Sequence, residues 1–468
     1  MFGFPTRSRD LYGAKADGRR DLRDVVVSSR DLGMSITSFA PGSVTVKDGS
    51  QHLAVGFASY AHRFGKVIPA HPLAGEIKVR RCLDCGSIET KQGAEHGPCE
   101  VCGGHQVTYS VFQPEGYRTM YSTVDYDDAY EAPYHKGYSE LSASTTAEDA
   151  TKVLGVSFEL LEQAEVVNIN DNNTKLFNLV RLNDSSVVAI NEDLYEVKLP
   201  SFMSQGAPVG QAAIGEVRRT DVLLLELGDL RLEGGVVAAD SRCPAGESAL
   251  MSFAEMLRRA AKDQLDIDEA ELEVGVQPWA RGGVLSRRVF VADALDNGAG
   301  YALELGTTEN MSNLLVSLRD ELGSRLSQDD HRTVCSSSCP ACLRSYENRF
   351  DHWALNWRLG LDVVDLALGG DLLLDRWTHQ LDVVTQAFID GFGRHGAFEI
   401  ERDGPFPVFV KGAHAVAIGH PLWRRDPDGW NTAQHQLAKR HHERAVRMSD
   451  VLELERFPFR VWSKLQNV

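Results

Sequence analysis

Leu250, Phe253, Leu257, Ala261 and Leu265 recur every three or four residues, so the pattern predicts an amphipathic helix over Glu247–Leu265. Leu314, Leu315, Leu318 and Leu322 do the same within a helix over Met311–Leu326. A long apolar helix is predicted over Trp353–Leu374, another over Val383–Phe392, and a polar one over Thr432–Met448. Upstream the period changes. Val107–Phe112, Glu165–Ile169, Leu176–Leu182, Val187–Asn191 and Asp221–Leu227 read as short strands between Asn, Asp and Gly groups. Ser43–Lys47, between Ala40-Pro41-Gly42 and Asp48-Gly49, reads as part of a hairpin. Thr145–Leu154 interrupts the strands with helical character, two threonines standing as possible caps. Val284–Leu295 and Phe406–Ile418 are further β segments, and the stretch to about Arg30 reads as an arm or a short helix. The expected class is α+β and multi-module, with a β-rich N-terminal half and a mixed C-terminal half. The expected segments are 1–75 (arm and hairpin), 76–112 (a cysteine-bearing ribbon), 113–240 (β-rich), 241–376 (a second cysteine cluster in an α/β domain) and 377–468 (α/β).

Composition changes this picture little, but charge does. Of 468 residues 43% are hydrophobic and 25% charged, which excludes wholesale disorder. Lys and Arg total 49 against 66 Asp and Glu, a net charge of -17. Such a chain does not coat DNA in bulk; any contact with nucleic acid needs a local basic surface or a basic partner. No run approaches the roughly 18 apolar residues that span a bilayer, and the N-terminus lacks a signal-peptide core. The expectation is a cytoplasmic protein with no membrane partner. There, close-spaced cysteines bind metal more often than they form disulfides.

Seven of the eight cysteines fall in two clusters. Cys82-x2-Cys85 and Cys99-x2-Cys102 are separated by thirteen residues. Each pair can aim two sulfurs at one centre, and four thiolates close a tetrahedron around zinc with no open position. A thioredoxin-type redox pair needs only one such motif ahead of a helix, and Cys102-Gly103-Gly104 starts a helix poorly. Cys335-x3-Cys339-x2-Cys342 is one thiolate short. It fits a second zinc if another residue completes it: Cys243, the remaining cysteine, is favoured, with His331 and His352 as alternatives. The same spacing resembles the radical-SAM signature, in which three cysteines hold an iron–sulfur cluster. Only about 125 residues follow, too few for the β/α barrel that chemistry uses.

Val289–Asp293, Asn297-Gly298-Ala299-Gly300-Tyr301, the Cys335–Cys342 cluster, and Leu343-Arg344-Ser345-Tyr346-Glu347-Asn348 form a continuous pattern. It resembles the C-terminal zinc-binding (MZB) region of MrfA-like bacterial repair helicases. It also resembles DrmB subunits, which stand beside a helicase in the DISARM anti-phage system. Phe39-Ala40-Pro41-Gly42-Ser43, Asn168-Ile169-Asn170-Asp171 and Thr220-Asp221-Val222-Leu223 extend the resemblance upstream. That family carries four cysteine ligands, often one two residues before the C-x3-C, where this chain has Thr333. The sequence holds no G-x4-G-K-[ST] phosphate loop. The resemblance therefore implies a non-catalytic, two-zinc accessory subunit partnering an SF2-type helicase or translocase in trans, engaging DNA through the complex in anti-phage defence. The alternative is a metal-dependent enzyme, a radical-SAM protein or a nuclease.

The remaining signals are weaker. Asn297–Gly300 lacks the third glycine of a dinucleotide fingerprint and reads as a close strand–helix contact. His420, His435, His441 and His442 fall in no phosphodiesterase motif. Arg424, Arg425, Lys439, Arg440 and Arg444 read as a solvated basic face that can contact phosphates. Trp423, Trp430, Phe457 and Phe459 read as core.

Overall fold

A computed structural model describes residues 7–13, 25–64, 66–90, 97–125, 137–142, 150–190, 196–201, 203–227, 244–281, 284–346, 348–403 and 406–466. It is a mixed α+β protein with a β-rich N-terminal half. The chain divides into two compact units, one of residues 1–145 with 164–219, the other of 146–163 with 220–468.

In the first unit Ser8–Tyr12 pairs antiparallel with Val26–Asp31 and parallel with Tyr117–Thr119. An arm or short helix was expected here. The strand forms because Leu11 is fully buried among Ile36, Phe39, Phe57, Tyr117 and Phe177. Asp31 ends the second strand, and its carboxylate accepts Gly33 N at 3.1 Å to start the helix Leu32–Ser38. The hairpin of Val44–Lys47 with Ser50–Phe57 is as expected. Asp48 and Gly49, both at positive φ, make its two-residue turn. Leu73–Cys82 pairs with Gln106–Pro114, and between them these strands carry the first cysteine cluster at one end. Ser50–Phe57 also pairs with Val187–Ala189, and the two backbones close at Gly56. A Cβ there would lie 2.1 Å from Val187 O.

In the second unit the helix Pro244–Leu265 buries Ala249, Leu250, Phe253, Leu257 and Ala261 in one core with Val289 and Val291. The latter two lie on the hairpin of Leu272–Arg281 with Val284–Asp293. The same core takes in the helix Trp357–Ala367. That helix is shorter than its apolar pattern predicts. Asn356 caps it, accepting Arg358 N at 3.0 Å, and Gly369 at φ 78° follows its end. Thr308–Ser317 runs on through a wider π turn, Leu318–Gly323. Two expectations fail. Thr151–Val153 is a strand on Val156–Phe158 rather than helix; residues 143–149 lie outside the described residues. The helix from Thr432 ends at Arg440, and Ala445–Asp450 joins His414–Gly419 as a parallel strand. Burial of Met448, Ser449 and Asp450 rewards the strand, which helical periodicity did not capture. Among the described residues no helix is long and apolar enough to cross a membrane.

Gly56→Ala should cost at least about 1–3 kcal/mol, because the added methyl meets backbone rather than a side chain that can turn away. Urea unfolding should show a lower midpoint at unchanged slope.

Candidate metal centres

The first centre is built from two matching turns. Gly86 N donates to Cys82 O at 3.1 Å, and Gly103 N donates to Cys99 O at 2.8 Å. Both glycines have positive φ, 83° and 73°, which lets each chain curl around its cysteine pair. Cys82 and Cys102 sulfurs lie 3.4 Å apart, and Cys85 and Cys99 sulfurs 3.7 Å. All four sulfurs lie within 4.8 Å of one another. A tetrahedron with ~2.3 Å zinc–sulfur bonds has edges of about 3.8 Å, so the arrangement fits one ion. Val101 N donates to Cys99 Sγ at 3.3 Å, and Ser87 Oγ lies 3.1 Å from it. Burial pushes the Cys99 thiol up, but these hydrogen bonds and Cys102 N outweigh it and bring the group down to about 7. Cys85 is pushed well up by burial.

The second centre gathers His331, Cys335, Cys339 and Cys342, again within 4.8 Å. Cys335 and Cys342 sulfurs are 3.9 Å apart, and His331 Nε2 is 3.6 Å from Cys339 Sγ. His331 stands at the end of the short helix Asp329–Arg332, and Cys335 N donates to its carbonyl at 2.9 Å. Its other nitrogen, Nδ1, donates to Leu326 O at 2.9 Å. That bond fixes the tautomer and leaves the Nε2 lone pair for a metal. Trp357 packs edge-on against the ring at 5.2 Å. The Cys342 thiol is held down to about 5, by the hydrogen bond from Cys335 foremost, and Cys335 is raised correspondingly.

Of the three residues considered for the fourth ligand, the structure brings His331 to the cluster. Cys243 lies outside the described residues. His352 is engaged elsewhere, its Nε2 3.0 Å from both Ser345 O and Asn348 Oδ1. Asn348 in turn accepts Ser345 N at 2.8 Å and donates to Leu343 O at 2.8 Å, closing the loop behind Cys342. The spacing H-x3-C, with a helix end delivering the histidine, is the signal in the sequence that points to His331.

The other candidates resolve differently. The N–H groups of Ala299, Gly300, Tyr301 and Ala302 all donate to the Asp293 carboxylate, at 2.6–3.2 Å. An internal anion thus sits where a bound phosphate would. His420 is fully buried, 3.0 Å from Asp362, with which Trp377 also bonds at 2.9 Å. Arg425 pairs with Asp450 and Glu453, and Arg444 with Glu401. Arg424, Lys439 and Arg440 are exposed. Phe457 and Phe459 are exposed too, rather than core, with Arg460 stacked over Phe457.

Fold and donor sets together define a zinc-binding α+β protein with two four-donor centres. The sequence matches the family described as MZB, the MrfA Zn-binding domain, over residues 253–343, which hold the second centre. It is 22% identical over 399 residues to the Druantia protein DruE of Escherichia coli (strain UMEA 4076-1), covering 75% of this chain and 20% of that protein. The chain thus spans about a fifth of the length of this curated relative. It is also similar, at 11% identity, to the crystal structure of DUF1998 helicase MrfA bound to DNA. The match covers 77% of this chain and 34% of that one, with a TM-score of 0.35. For the same helicase with DNA and AMPPNP the coverage is 76% and 30%, and the TM-score 0.27.

Purified chain should carry two zinc ions by elemental analysis and be colourless. Cys82→Ser with Cys85→Ser should leave one. His331→Ala should weaken retention at the second centre, seen as faster transfer of one equivalent to a chromophoric chelator, while His331→Cys should restore it.

Proposed function

We infer that this chain is the zinc-bearing, non-catalytic part of a DNA helicase machine. It partners an SF2-type helicase or translocase supplied as a separate polypeptide and supports that motor's engagement of DNA. Its setting is anti-phage defence of the DISARM type, with the chain in the DrmB role. The observation that carries this reading is the closed centre of His331, Cys335, Cys339 and Cys342 inside the segment matched to the MrfA Zn-binding domain. A centre with four protein donors has no position left for substrate or water, so its work is to hold the fold. The similarity to the Druantia protein DruE supports the same general class. The donor atoms also speak against a radical enzyme. Thiolates on different irons of a cube stand further apart than thiolates sharing one ion, and His331 fills the position such a cluster leaves open.

The isolated chain should hydrolyse ATP no faster than a buffer control, with or without DNA. Expressed from its own locus with an affinity tag, it should co-purify with a helicase encoded beside it. Measurable ATPase from the pure chain, or a pull-down without any helicase, would remove the reading.

A further inference from the structure

The strands Ser59–Arg63 and Lys66–Ala70 form a separate two-stranded hairpin in the first unit. Its pairing register, Arg63 opposite Lys66, leaves a two-residue connection that begins with Phe64. Phe64 has φ 49° and is 102% exposed relative to an extended reference. The left-handed region disfavours a bulky side chain, and hairpin connections of this length favour Asn, Asp or Gly there. This phenylalanine therefore gains nothing from its own fold and sits in a conformation that suits it badly. Its flanking cations, Arg63 and Lys66, are both exposed, and neither is paired with a carboxylate among the described residues. At the foot of the hairpin His71 donates through Nδ1 to Leu73 O at 2.6 Å and accepts Arg181 through Nε2 at 2.9 Å. That bond holds a further exposed guanidinium in place. The other strand is anchored at the same foot: Tyr60, opposite Pro69, packs edge-on against Tyr12, with ring centroids 4.9 Å apart.

The charge pattern is independent of this geometry. Residues 49–75 contain no Asp or Glu at all, in a chain where 66 of 468 residues are acidic. At that frequency about four acids would fall in such a stretch. In a molecule of net charge -17, a segment whose only Lys and Arg, Arg63 and Lys66, meet no acid of their own stretch is a local basic element of the kind nucleic acid requires.

We propose that the Ser59–Ala70 hairpin binds single-stranded DNA, with a base stacked on Phe64 and backbone phosphates at Arg63 and Lys66. Base stacking on an exposed aromatic ring beside cations is tolerant of sequence, because every base offers a π face. The inference rests on the DNA-engaging role proposed above and gives that role a contact in this chain.

The test uses the full zinc-loaded chain with two oligonucleotides, one labelled with fluorescein and one containing 2-aminopurine. Wild type should bind at low salt and change the 2-aminopurine emission. Phe64→Ala should bind roughly ten-fold more weakly with little emission change, and Phe64→Trp should bind like wild type. Arg63→Glu with Lys66→Glu should weaken binding further and make the salt slope shallower by about 1.4. All variants should keep wild-type zinc content and circular dichroism, since the altered side chains are exposed. Unchanged affinity in Phe64→Ala and in the charge reversal overturns the proposal. So does a wild-type chain that binds neither oligonucleotide, whereas helicase co-purification reports separately on the accessory reading. If Phe64→Ala instead abolishes binding to phosphatidylserine vesicles, or to the helicase, with DNA affinity intact, the hairpin serves a membrane or a protein and the proposal falls.

Discussion

A guanidinium taken out of water has to find acceptors for its N–H groups, and Arg358 is fully buried. It finds them in backbone carbonyls. Nη1 donates to Ser336 O at 2.8 Å and Cys335 O at 3.3 Å, Nη2 to Arg332 O at 3.2 Å, and Nε to Arg376 O at 3.3 Å. Trp357 Nε1 adds a second bond to Cys335 O at 3.1 Å. The first residues of one helix thus hold the backbone of the loop that carries His331 and the three cysteines. Burial lowers the Arg358 pKa to about 10, which still leaves a full positive charge at neutral pH. A zinc ion with three thiolates and a neutral histidine carries one net negative charge. Metal centre and cation therefore compensate each other, and neither is well accommodated in this core without the other.

The same loop is fastened from its other side by the helix Pro244–Leu265. Arg258 donates to Ser345 Oγ at 3.0 Å and pairs with Glu255 at 2.7 Å, while Arg259 reaches Pro340 O and Arg344 O at 3.2 Å each. Burial raises the Glu255 pKa, against the pull of Arg258. Breaking a buried pair of this kind by removing one partner costs more than the pair contributes, because it strands the other charge. The Asp293 carboxylate does a similar job for the turn at Ala299–Ala302, gathering its four backbone N–H groups. In both places a charged side chain organises an irregular loop that has little apolar surface to fold around.

This division explains how much could be read from the chain. The first centre was legible, because two C-x2-C pairs specify their own turns and need nothing from afar. The helix from Glu247 was legible, because its stripe of Leu and Phe meets one core. The fourth donor of the second centre was not fixed by residue type, and the H-x3-C spacing alone did not single out His331. His331, His352 and Cys243 are equivalent as residue types, and only the bonds to Leu326 O and Asn348 separate the two histidines. The strands at Ser8–Tyr12 and Ala445–Asp450 were missed for a related reason. Their stability comes from partners far away in sequence, Tyr117–Thr119 and His414–Gly419, while their local composition is polar.

The five basic residues of the C-terminal segment read as a solvated face able to contact phosphates, and of these Arg425 and Arg444 pair with carboxylates of their own fold. In an acidic chain cations are readily used in this way, and the density of Lys and Arg in the sequence says little about where an external anion can sit. The informative quantity is the local absence of acids. By that measure 49–75 is the longest run in the sequence without an acid, ahead of 404–425, and within it the fold projects a hairpin whose exposed ring lies between two cations. A polyanion approaching this molecule is repelled over most of the sequence's charge and favoured there. On the proposed binding mode, selectivity comes from what the acidic surroundings exclude as much as from what Arg63 and Lys66 attract.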